Sequence, residues 1–499
     1  MRFALTLFLV LVTSYFSFGQ AKDSLEYKIN QILQTTQVPG GAVGVIYHDS
    51  IYFAKGFGFR DLSEKLPVDT QTIFPIGSCS KAFTATLLGW AQEKELLDFK
   101  DAPSKYIREL KFANADLDQK IQIRDLLAHS TGLPRHDLSW YLFPTEEADS
   151  LTQRIAHLEP FAKVRERYHY NNFGYFLAGE LAEKAFQISW ENALDSLLFT
   201  PLKMKRTHTN ILQKEDMNTA MGYTSPSDAI ANPMAYYDLQ AMAPAGSICS
   251  SLEDMLKWTR CWLHFGKSDG ETVIPTSYVQ EAISSQTIMR ANLPSDAEPY
   301  LFFSNYGYGW MLSSYKGRYR VEHGGNINGF SANVCFLPTE GLGVVVLTNQ
   351  NNSDATYLIR NTLIDFILNL NPSDWLGDYL AESVMKNTPI PAKTIKETDS
   401  RPLNDFVGTY QNPGYGTIKI LLEKNTLQAQ FPVGTFNLDN TDKLTFQLKA
   451  NTSSEIDPDT VPNLEFTFTS NSNENISGLA IPLEPTLEPI LFQKIKPKS

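Results

Sequence analysis

The most informative pattern in the chain is Ser78-Cys79-Ser80-Lys81, at the start of an apolar, helix-like stretch. A serine and a lysine three residues apart lie on the same face of a helix. An amine in that position can accept the serine proton and prepare the hydroxyl to attack a carbonyl carbon. The N–H of a residue in a first helical turn is also free to stabilise an oxyanion. We therefore predict Ser78 as a nucleophile and Lys81 as its proton-transfer partner.

A second pattern, Tyr170-Asn171-Asn172, precedes an apolar helix predicted over residues 176–185. A phenol beside an ammonium group has its anion stabilised, so we expect the pKa of Tyr170 to fall and the phenolate to act as general base. The amide of Asn172 can hold Lys81 and donate to a substrate carbonyl. Tyr170 is predicted as catalytic and Asn172 as substrate-binding.

A third pattern, His323-Gly324-Gly325-Asn326, lies at the end of a predicted strand. Glycines at that point allow a substrate backbone to approach closely. A main-chain N–H after them can complete an oxyanion pocket with that of Ser78. His323, Gly324, Gly325 and Asn326 are predicted to bind the substrate or its oxyanion.

The same spacings also occur where the context does not favour a site. Residues three apart on a strand face opposite sides, and a glycine after a helix is a natural C-cap. These arguments make Ser313–Lys316, on a strand pattern, a chance match, and His264–Gly266, at the end of a helix, the less favoured candidate. Ser383–Lys386 lies in a polar stretch between the domains and is also expected to be a chance match, and Tyr410–Asn412 lies in the predicted barrel.

Composition excludes several function classes. The chain has 499 residues, 42% of them hydrophobic, and a net charge of -12 without a basic stripe, which argues against nucleic-acid and anionic-membrane partners. The histidines show no metal-ligand spacing. We predict no metal and no cofactor, and a small-molecule or peptide substrate; the oligomeric state stays open.

The N-terminus is typical of an exported protein. Met1-Arg2 is followed by a short apolar run and a small-x-small cleavage signal ending at Gly19. We predict a signal peptide over residues 1–19, a periplasmic or extracellular location, and no transmembrane segment. The four cysteines are expected to be buried, and a Cys249–Cys261 disulfide is left open.

Strand patterns from both ends of the first 370 residues enclose a mainly helical region. This predicts an α/β (α+β) domain over residues 20–370, with one antiparallel sheet, flanking helices and a helical insertion. A linker is predicted over 371–400, and a small all-β barrel or sandwich over 401–499. The strands predicted for the first domain are 42–48, 51–57, 306–312, 319–322, 330–337 and 343–348.

The three motifs, in this order, resemble those of the serine β-lactamase and penicillin-binding fold, in the class C and peptidase S12 branch. Three further stretches are similar to the same family: Ile123–Leu133, Pro244–Gly246 and Gly341–Asn349. The C-terminal strands resemble lipocalin-like domains attached to some of these hydrolases. The resemblance implies that Ser78 forms an acyl-enzyme, that Lys81 and Tyr170 shuttle the proton, and that the N–H groups of Ser78 and Asn326 hold the oxyanion.

One departure from that family pattern bears on the substrate. Class C β-lactamases carry Lys-Thr-Gly where this chain has His323-Gly324-Gly325. Loss of a fixed cation weakens binding of a substrate carboxylate. The departure favours a peptidase for small, D-residue-containing peptides, or an esterase. Two alternatives remain open: a class C-like β-lactamase, and a penicillin-binding or sensor protein that acylates without turnover.

Overall fold

The computed structural model describes residues 22–212, 218–224, 231–291, 293–295, 298–386, 401–449 and 464–495. The predicted signal peptide lies outside the described residues. The helices are α1 (22–35), α2 (Ser80–Glu93), α3 (Ala115–Lys120), α4 (Ile123–Leu127), α5 (Asp137–Tyr141), α6 (Ala148–Ile155), α7 (Asn172–Phe186), α8 (Trp190–Leu194), α9 (Leu252–Leu263), α10 (Thr276–Ala282), α11 (Ala355–Ile367) and α12 (Trp375–Lys386).

The strands fall into a main sheet with short accessory pairs, and a barrel. Those before the barrel are β1 (Gly40–Tyr47), β2 (Ser50–Asp61), β3 (Leu66–Pro67), β4 (Ile73–Pro75), β5 (Gly222–Tyr223), β6 (Pro233–Met234), β7 (Cys249–Ser251), β8 (Lys267–Ser268), β9 (Glu271–Thr272), β10 (Thr287–Arg290), β11 (Ser304–Tyr306), β12 (Met311–Tyr315), β13 (Arg318–Ile327), β14 (Phe330–Leu337) and β15 (Leu342–Thr348).

The main sheet joins the two ends of the first domain, as the strand pattern predicted. Its order is β10-β11-β12-β13-β14-β15-β1-β2-β3, and β1 pairs antiparallel with β15 in the register Ala42↔Leu347. Val43 and Val45 point to one face, where α1 and α11 cover them, and Ala42 and Ile46 point to the other. Because both faces are covered, β1 and β15 are almost continuously apolar.

The helical insertion surrounds α2, which is buried for most of its length. A 3-10 turn, Gly77–Cys79, leads directly into α2 and carries Ser78. Phe83 of α2 stacks on Trp258 of α9 with ring centroids 3.8 Å apart. This packing holds the start of α2 at the edge of the main sheet.

The predicted single strand over 306–312 is wrong. The chain forms two strands there, β11 and β12, separated by residues 307–310. Gly309 adopts a left-handed φ of +76°, and a Cβ at this position would lie 2.7 Å from the Ala82 Cα. The strand is therefore interrupted by the close approach of α2, a tertiary contact that strand propensity does not encode.

The C-terminal strands form a closed eight-stranded barrel, resolving the choice left between a barrel and a sandwich. They are β16 (Gly408–Asn412), β17 (Gly416–Glu423), β18 (Thr426–Phe431), β19 (Gly434–Asp442), β20 (Thr445–Lys449), β21 (Glu465–Ser470), β22 (Ile476–Ile481) and β23 (Ile490–Ile495). Alternate residues point inwards, and Phe406, Phe446 and Phe468 pack edge to face within the interior.

All four cysteines are buried and free, so the Cys249–Cys261 disulfide is not formed. Burial raises the pKa of the Cys79 thiol to about 12, which makes it a poor nucleophile beside Ser78. Among the described residues, no helix combines the length and apolar character needed to cross a bilayer.

Candidate active site

The Lys81 amine lies at the centre of a buried polar cluster next to Ser78. Its Nζ is 3.1 Å from Ser78 Oγ, 2.7 Å from Asn172 Oδ1 and 2.7 Å from the Ala245 carbonyl oxygen. The last two oxygens can only accept hydrogen bonds, so they take two N–H groups of the amine. The remaining position on the nitrogen faces the serine hydroxyl.

Burial lowers the pKa of Lys81 well below its ordinary value. The Asp137 carboxylate acts in the opposite direction, and the Arg135 guanidinium lowers the pKa further. A neutral amine has two N–H donors and one lone pair. With both donors taken by carbonyl oxygens, the lone pair faces Ser78 Oγ, and Lys81 is placed to accept the serine proton.

Tyr170 lies against the same amine, with Lys81 Nζ 4.8 Å from its ring centroid. Burial raises the pKa of Tyr170, although the neighbouring Ser78 hydroxyl acts to lower it. This direction is opposite to the fall expected from the sequence, because burial outweighs any stabilisation of the phenolate. The buried Oη has no hydrogen-bond partner of normal geometry in the described part of the chain. Tyr170 is therefore a neutral phenol with a free O–H donor.

Asn172, the first residue of α7, is held at both ends of its amide. Its Oδ1 accepts from Lys81, and its Nδ2 donates to Asp137 Oδ1 at 2.8 Å. The sequence predicted that Asn172 would hold Lys81 and donate to substrate. In the structure one amide hydrogen is already committed to Asp137, so the side chain positions the lysine.

Two charged residues that sequence reasoning missed lie beside this cluster. Arg135 Nε donates to Asp137 Oδ2 at 2.6 Å, and the Arg135 guanidinium carbon is 5.0 Å from the Tyr170 ring centroid. They lie where a loop leads into α5, and their spacing matches no recognisable motif. Their only signal in the sequence is a charged pair close after the Ile123–Leu133 stretch.

The predicted oxyanion groups meet where β13 has an open edge. Pairing of β12 with β13 ends at Glu322, so residues 323–327 are paired only with β14. A Cβ on Gly77, where φ is +51°, would lie 2.7 Å from Asn326 N. A Cβ on Gly325 would lie 1.9 Å from the Ile76 carbonyl oxygen and 3.1 Å from Ser78 N. Both positions thus require glycine, and the backbones of Ser78 and Asn326 approach each other.

His323 lies beneath the cleft. It is 1% exposed, its Nδ1 is 2.6 Å from the Gly324 carbonyl oxygen, and its Nε2 is 2.9 Å from Tyr306 Oη. The carbonyl can only accept, so Nδ1 carries the proton and Nε2 accepts from the phenol. Burial lowers the pKa of His323 to about 4, and Lys81 acts in the same direction. The imidazole is therefore neutral at pH 7.

A cavity of about 210 Å³ opens beside Ser78. Of the predicted residues, Ser78, Asn172 and Asn326 line it, whereas His323, Gly324 and Gly325 are not in its walls. His323 is covered and Gly325 approaches the Ile76 carbonyl oxygen closely, whereas a Cβ at Gly324 would meet only the Ala332 carbonyl oxygen, at 3.8 Å. Contact of these three residues with the substrate stays a prediction. The complete lining is Gly77, Ser78, Arg135, Asp137, Trp140, Tyr141, Asn172, Tyr237, Leu239, Met242, Ala245, Gly246, Asn326, Ile327, Asn328, Asn351 and Asn352.

The other matches to the motif spacings have structural partners elsewhere. Ser313 accepts from Arg320, while Lys316 binds Asp365 at 2.7 Å. The remaining matches lie in α12, in β16 and at the end of α9, where the N–H of Gly266 donates to the Cys261 carbonyl oxygen at 2.9 Å. No cluster of three or more acidic, histidine or cysteine side chains suited to a metal ion occurs in the ranges that the structure describes.

Comparison with known proteins assigns the first domain to a family. The Beta-lactamase family matches residues 25–369, which is more than half of the chain. The chain belongs to the Beta-lactamase family. A second family, "Domain of unknown function (DUF3471)", matches residues 392–494.

Relatives of this Beta-lactamase family member include a fungal and a bacterial protein. "Unguisins hydrolase ungD" of Aspergillus violaceofuscus is 25% identical over 435 residues, covering 80% of this chain and 76% of that protein. "Protein flp" of Staphylococcus aureus strain MW2 is 25% identical over 349 residues, covering 69% and 66%.

A solved structure has the same fold. The octameric penicillin-binding protein homologue from Pyrococcus abyssi superimposes with a TM-score of 0.63 and 20% identity, covering 94% of this chain and 99% of that one. This likeness confirms the predicted β-lactamase and penicillin-binding fold with a C-terminal barrel. Membership of the Beta-lactamase family supports a serine hydrolase.

Proposed function

We propose that the protein is an exported hydrolase of the peptidase S12 type. It would act through an acyl-enzyme on Ser78, on small peptides that contain D-residues or on esters. The observation that carries this proposal is the buried Lys81 amine, whose two N–H donors are bound by carbonyl oxygens and whose third position faces the Ser78 hydroxyl.

In the proposed mechanism Lys81 accepts the Ser78 proton as Oγ attacks the substrate carbonyl carbon. The N–H groups of Ser78 and Asn326 bind the oxyanion that forms. The proton then passes to the leaving amine or alcohol, with the free O–H of Tyr170 as the relay, and the acyl-enzyme remains. Water then adds to the acyl carbon and gives a proton to the neutral Lys81 amine. The bond from the acyl carbon to Ser78 Oγ breaks, Oγ takes the proton from Lys81, and the acid is released.

The electrostatics of the cleft favour substrates without an essential carboxylate. Burial lowers the pKa of His323 to about 4 and so keeps its imidazole neutral. Class C enzymes have a lysine at this position of the motif. The cation that lines the cavity, Arg135, is already paired with Asp137. Peptide amides and esters fit this cleft better than β-lactams, whose carboxylate needs a cation. A relative named as a hydrolase of unguisins supports a hydrolytic reaction.

The test is fluorophosphonate labelling of the mature protein, followed by peptide mapping and by turnover of D-amino-acid amides, short-chain esters and a chromogenic cephalosporin. Wild type is expected to be labelled at Ser78 and to hydrolyse amides or esters. Ser78→Ala should abolish both labelling and hydrolysis. Ser313→Ala is the matched control, because it changes the serine of the Ser-x-x-Lys pair that begins in β12, and it should alter neither.

The same assays separate the alternatives. Rapid turnover confined to the cephalosporin would indicate a β-lactamase, and a stable adduct without turnover would indicate a penicillin-binding sensor. Labelling that persists in Ser78→Ala would refute the nucleophile. Export is tested by locating the full-length chain after expression in a bacterial host, with a variant lacking residues 2–19 as the control.

A further inference from the structure

One side of the cavity next to Ser78 is formed by large apolar side chains. Tyr141 and Tyr237 stack with ring centroids 4.5 Å apart and an angle of 21°, and Trp140 meets the edge of Tyr237 at 6.4 Å. Leu239 and Met242, from the segment before Ala245, extend this surface. The aromatic wall is defined by Trp140, Tyr141, Tyr237, Leu239 and Met242.

The polar atoms of the aromatic wall are already bound within the protein. Tyr237 Oη donates to the Tyr141 carbonyl oxygen at 2.9 Å, and Trp140 Nε1 donates to Asp137 Oδ1 at 3.1 Å. Tyr141 Oη donates to Asn328 Oδ1 at 3.1 Å. The rings therefore have fixed orientations and present their carbon surfaces to the cavity, with no hydrogen bond left for a ligand to supply.

We propose that the aromatic wall binds a bulky apolar or aromatic side chain of the substrate, adjacent to the carbonyl that Ser78 attacks. This inference rests on the proposed function and names its substrate class. A charged side chain would lose its hydration at the wall without gaining a partner there, since Arg135 and Asp137 bind each other. Small side chains would leave the wall in contact with water and gain no binding energy from it.

The test compares p-nitrophenyl acetate with p-nitroanilides of D- and L-phenylalanine, alanine, glutamate and lysine. Wild type should prefer phenylalanine over alanine by about 10²-fold in kcat/KM, and the charged residues should be poorest. Tyr237→Ala should lower the phenylalanine-to-acetate ratio about tenfold. Tyr236→Ala removes a neighbouring ring that stacks on Phe330 outside the cavity, and should leave the ratio unchanged.

The ratio is measured within each variant, so partial unfolding cancels. Equal turnover of phenylalanine and alanine substrates, or preference for a charged one, would overturn the proposal while Ser78-dependent acetate hydrolysis still supported the hydrolase. If wild type and Ser78→Ala hydrolysed the acetate equally, the proposed function itself would be refuted.

A different set of contacts connects the barrel with the segment that carries Arg135 and Asp137. His136, between Arg135 and Asp137, is buried and has a left-handed φ of +48°, a rare conformation for a residue other than glycine. Its N–H donates to Glu484 Oε2 at 2.9 Å, and Nδ1 and Nε2 lie 2.8 Å from Tyr415 Oη and 3.0 Å from a backbone carbonyl oxygen. The carbonyl fixes the proton on Nε2, so Nδ1 accepts from the Tyr415 phenol.

The barrel also encloses a side chain of the first domain. Phe143, which follows α5, is buried against Phe431 and Phe492, with ring centroids 5.5 and 6.1 Å away. A Cβ at Gly416 would lie 2.8 Å from the Phe143 ring. The barrel therefore holds the segment around α5 at two points: the turn of residues 135–137 before it and Phe143 after it.

We infer that Tyr415 and Glu484 of the barrel are positioning residues for the reaction. They fix His136 in its left-handed conformation, and its neighbour Asp137 binds the Asn172 amide that holds Lys81. These contacts connect the barrel with Lys81, the general base that acts on Ser78. The interior of the barrel is filled by aromatic side chains, Phe143 of the first domain among them. The contacts with His136 therefore give the barrel a role in the reaction that does not require it to bind a ligand.

The test is Tyr415→Phe, with Tyr410→Phe as the matched control. Both tyrosines are buried in the barrel, but Tyr410 Oη donates to the Phe406 carbonyl oxygen, away from the loop. Tyr415→Phe should lower the rate of fluorophosphonate acylation of Ser78 about tenfold or more, because displaced catalytic groups lose reactivity steeply. It should also move the pH profile of that rate, which a merely structural change would not do.

The two Glu484 carboxylate oxygens accept from the N–H groups of His136 and Thr486. Glu484→Gln replaces one of these acceptors with an NH2 donor and should have the same effect as Tyr415→Phe. Tyr410→Phe should change the rate less than about twofold at a similar Tm. Equal rates and pH profiles in Tyr415→Phe and Tyr410→Phe would overturn the inference. Equal Tm values with a slow rate only in Tyr415→Phe and Glu484→Gln would support it.

Discussion

Lys81→Met isolates the contribution of the amine to the reaction. The side chain keeps its length and its fit in the apolar surroundings of α2, but the base is lost. Two acceptors, Asn172 Oδ1 and the Ala245 carbonyl oxygen, lose their donor, which costs about 1–3 kcal/mol of stability each if water does not replace it. Relief of the buried amine's desolvation offsets part of that cost. We expect a folded protein of moderately lower stability.

The loss of activity should be much larger than the loss of stability. A positioned general base contributes about 10²–10⁴-fold in rate, or about 3–5 kcal/mol of activation free energy. In stopped-flow hydrolysis of p-nitrophenyl acetate, the acylation burst of Lys81→Met should slow by this factor. Lys316→Met removes a part-buried lysine, from an ion pair with Asp365, and should leave the burst rate unchanged.

The pH dependence gives an independent check. The amine accepts a proton only when neutral, so acylation by wild type should be full above the folded pKa of Lys81 and fall as pH drops through it. Because burial lowers that pKa, the midpoint should lie well below the ordinary lysine value, and Lys81→Met should lack this limb. A wild-type midpoint near about 10.4, or an unchanged burst in Lys81→Met, would refute the assignment.

Four further predictions concern neighbouring groups. Tyr170→Phe should reduce steady-state ester turnover by about 10²-fold, because the proton relay is lost; unchanged turnover would exclude that role. Asp137→Asn removes a charge that raises the pKa of Lys81, so the acid limb of the acylation profile should move to lower pH, and a move to higher pH would contradict this. His323 has a folded pKa of about 4, below its unfolded value, so its contribution to stability is full above about pH 6.5 and lost as pH falls towards 4. Urea unfolding of His323→Gln should therefore show a weaker pH dependence over that range than wild type. Gly325→Ala should lower both Tm and labelling at the nucleophile, since its Cβ would lie 1.9 Å from a backbone oxygen.

Much of the fold follows from periodicity in the sequence. β14 was predicted over its observed length, and β1 and β15 to within two residues at either end. These segments are apolar runs or alternations bounded by turn residues. The interruption between β11 and β12 was missed, because it depends on contact between Gly309 and α2 rather than on local sequence.

The site was less accessible to sequence reasoning. The convergence of Ser78, Lys81 and Asn172 could be anticipated from residue types and spacing, since each lies at the start of a helix. The direction of the Tyr170 pKa could not, because it depends on how completely the phenol is buried. The roles of Arg135 and Asp137 were also hidden, since a loop held by a distant barrel brings them to the cleft.

The pairing of β1 with β15 has a consequence for the timing of activity. Residues 42 and 347 are neighbours in the folded protein, so the main sheet that contains β13 is completed only after most of the chain has been synthesised. Contacts so distant in sequence form slowly. A newly made chain therefore carries Ser78 without an oxyanion pocket, and activity at this serine requires the completed fold.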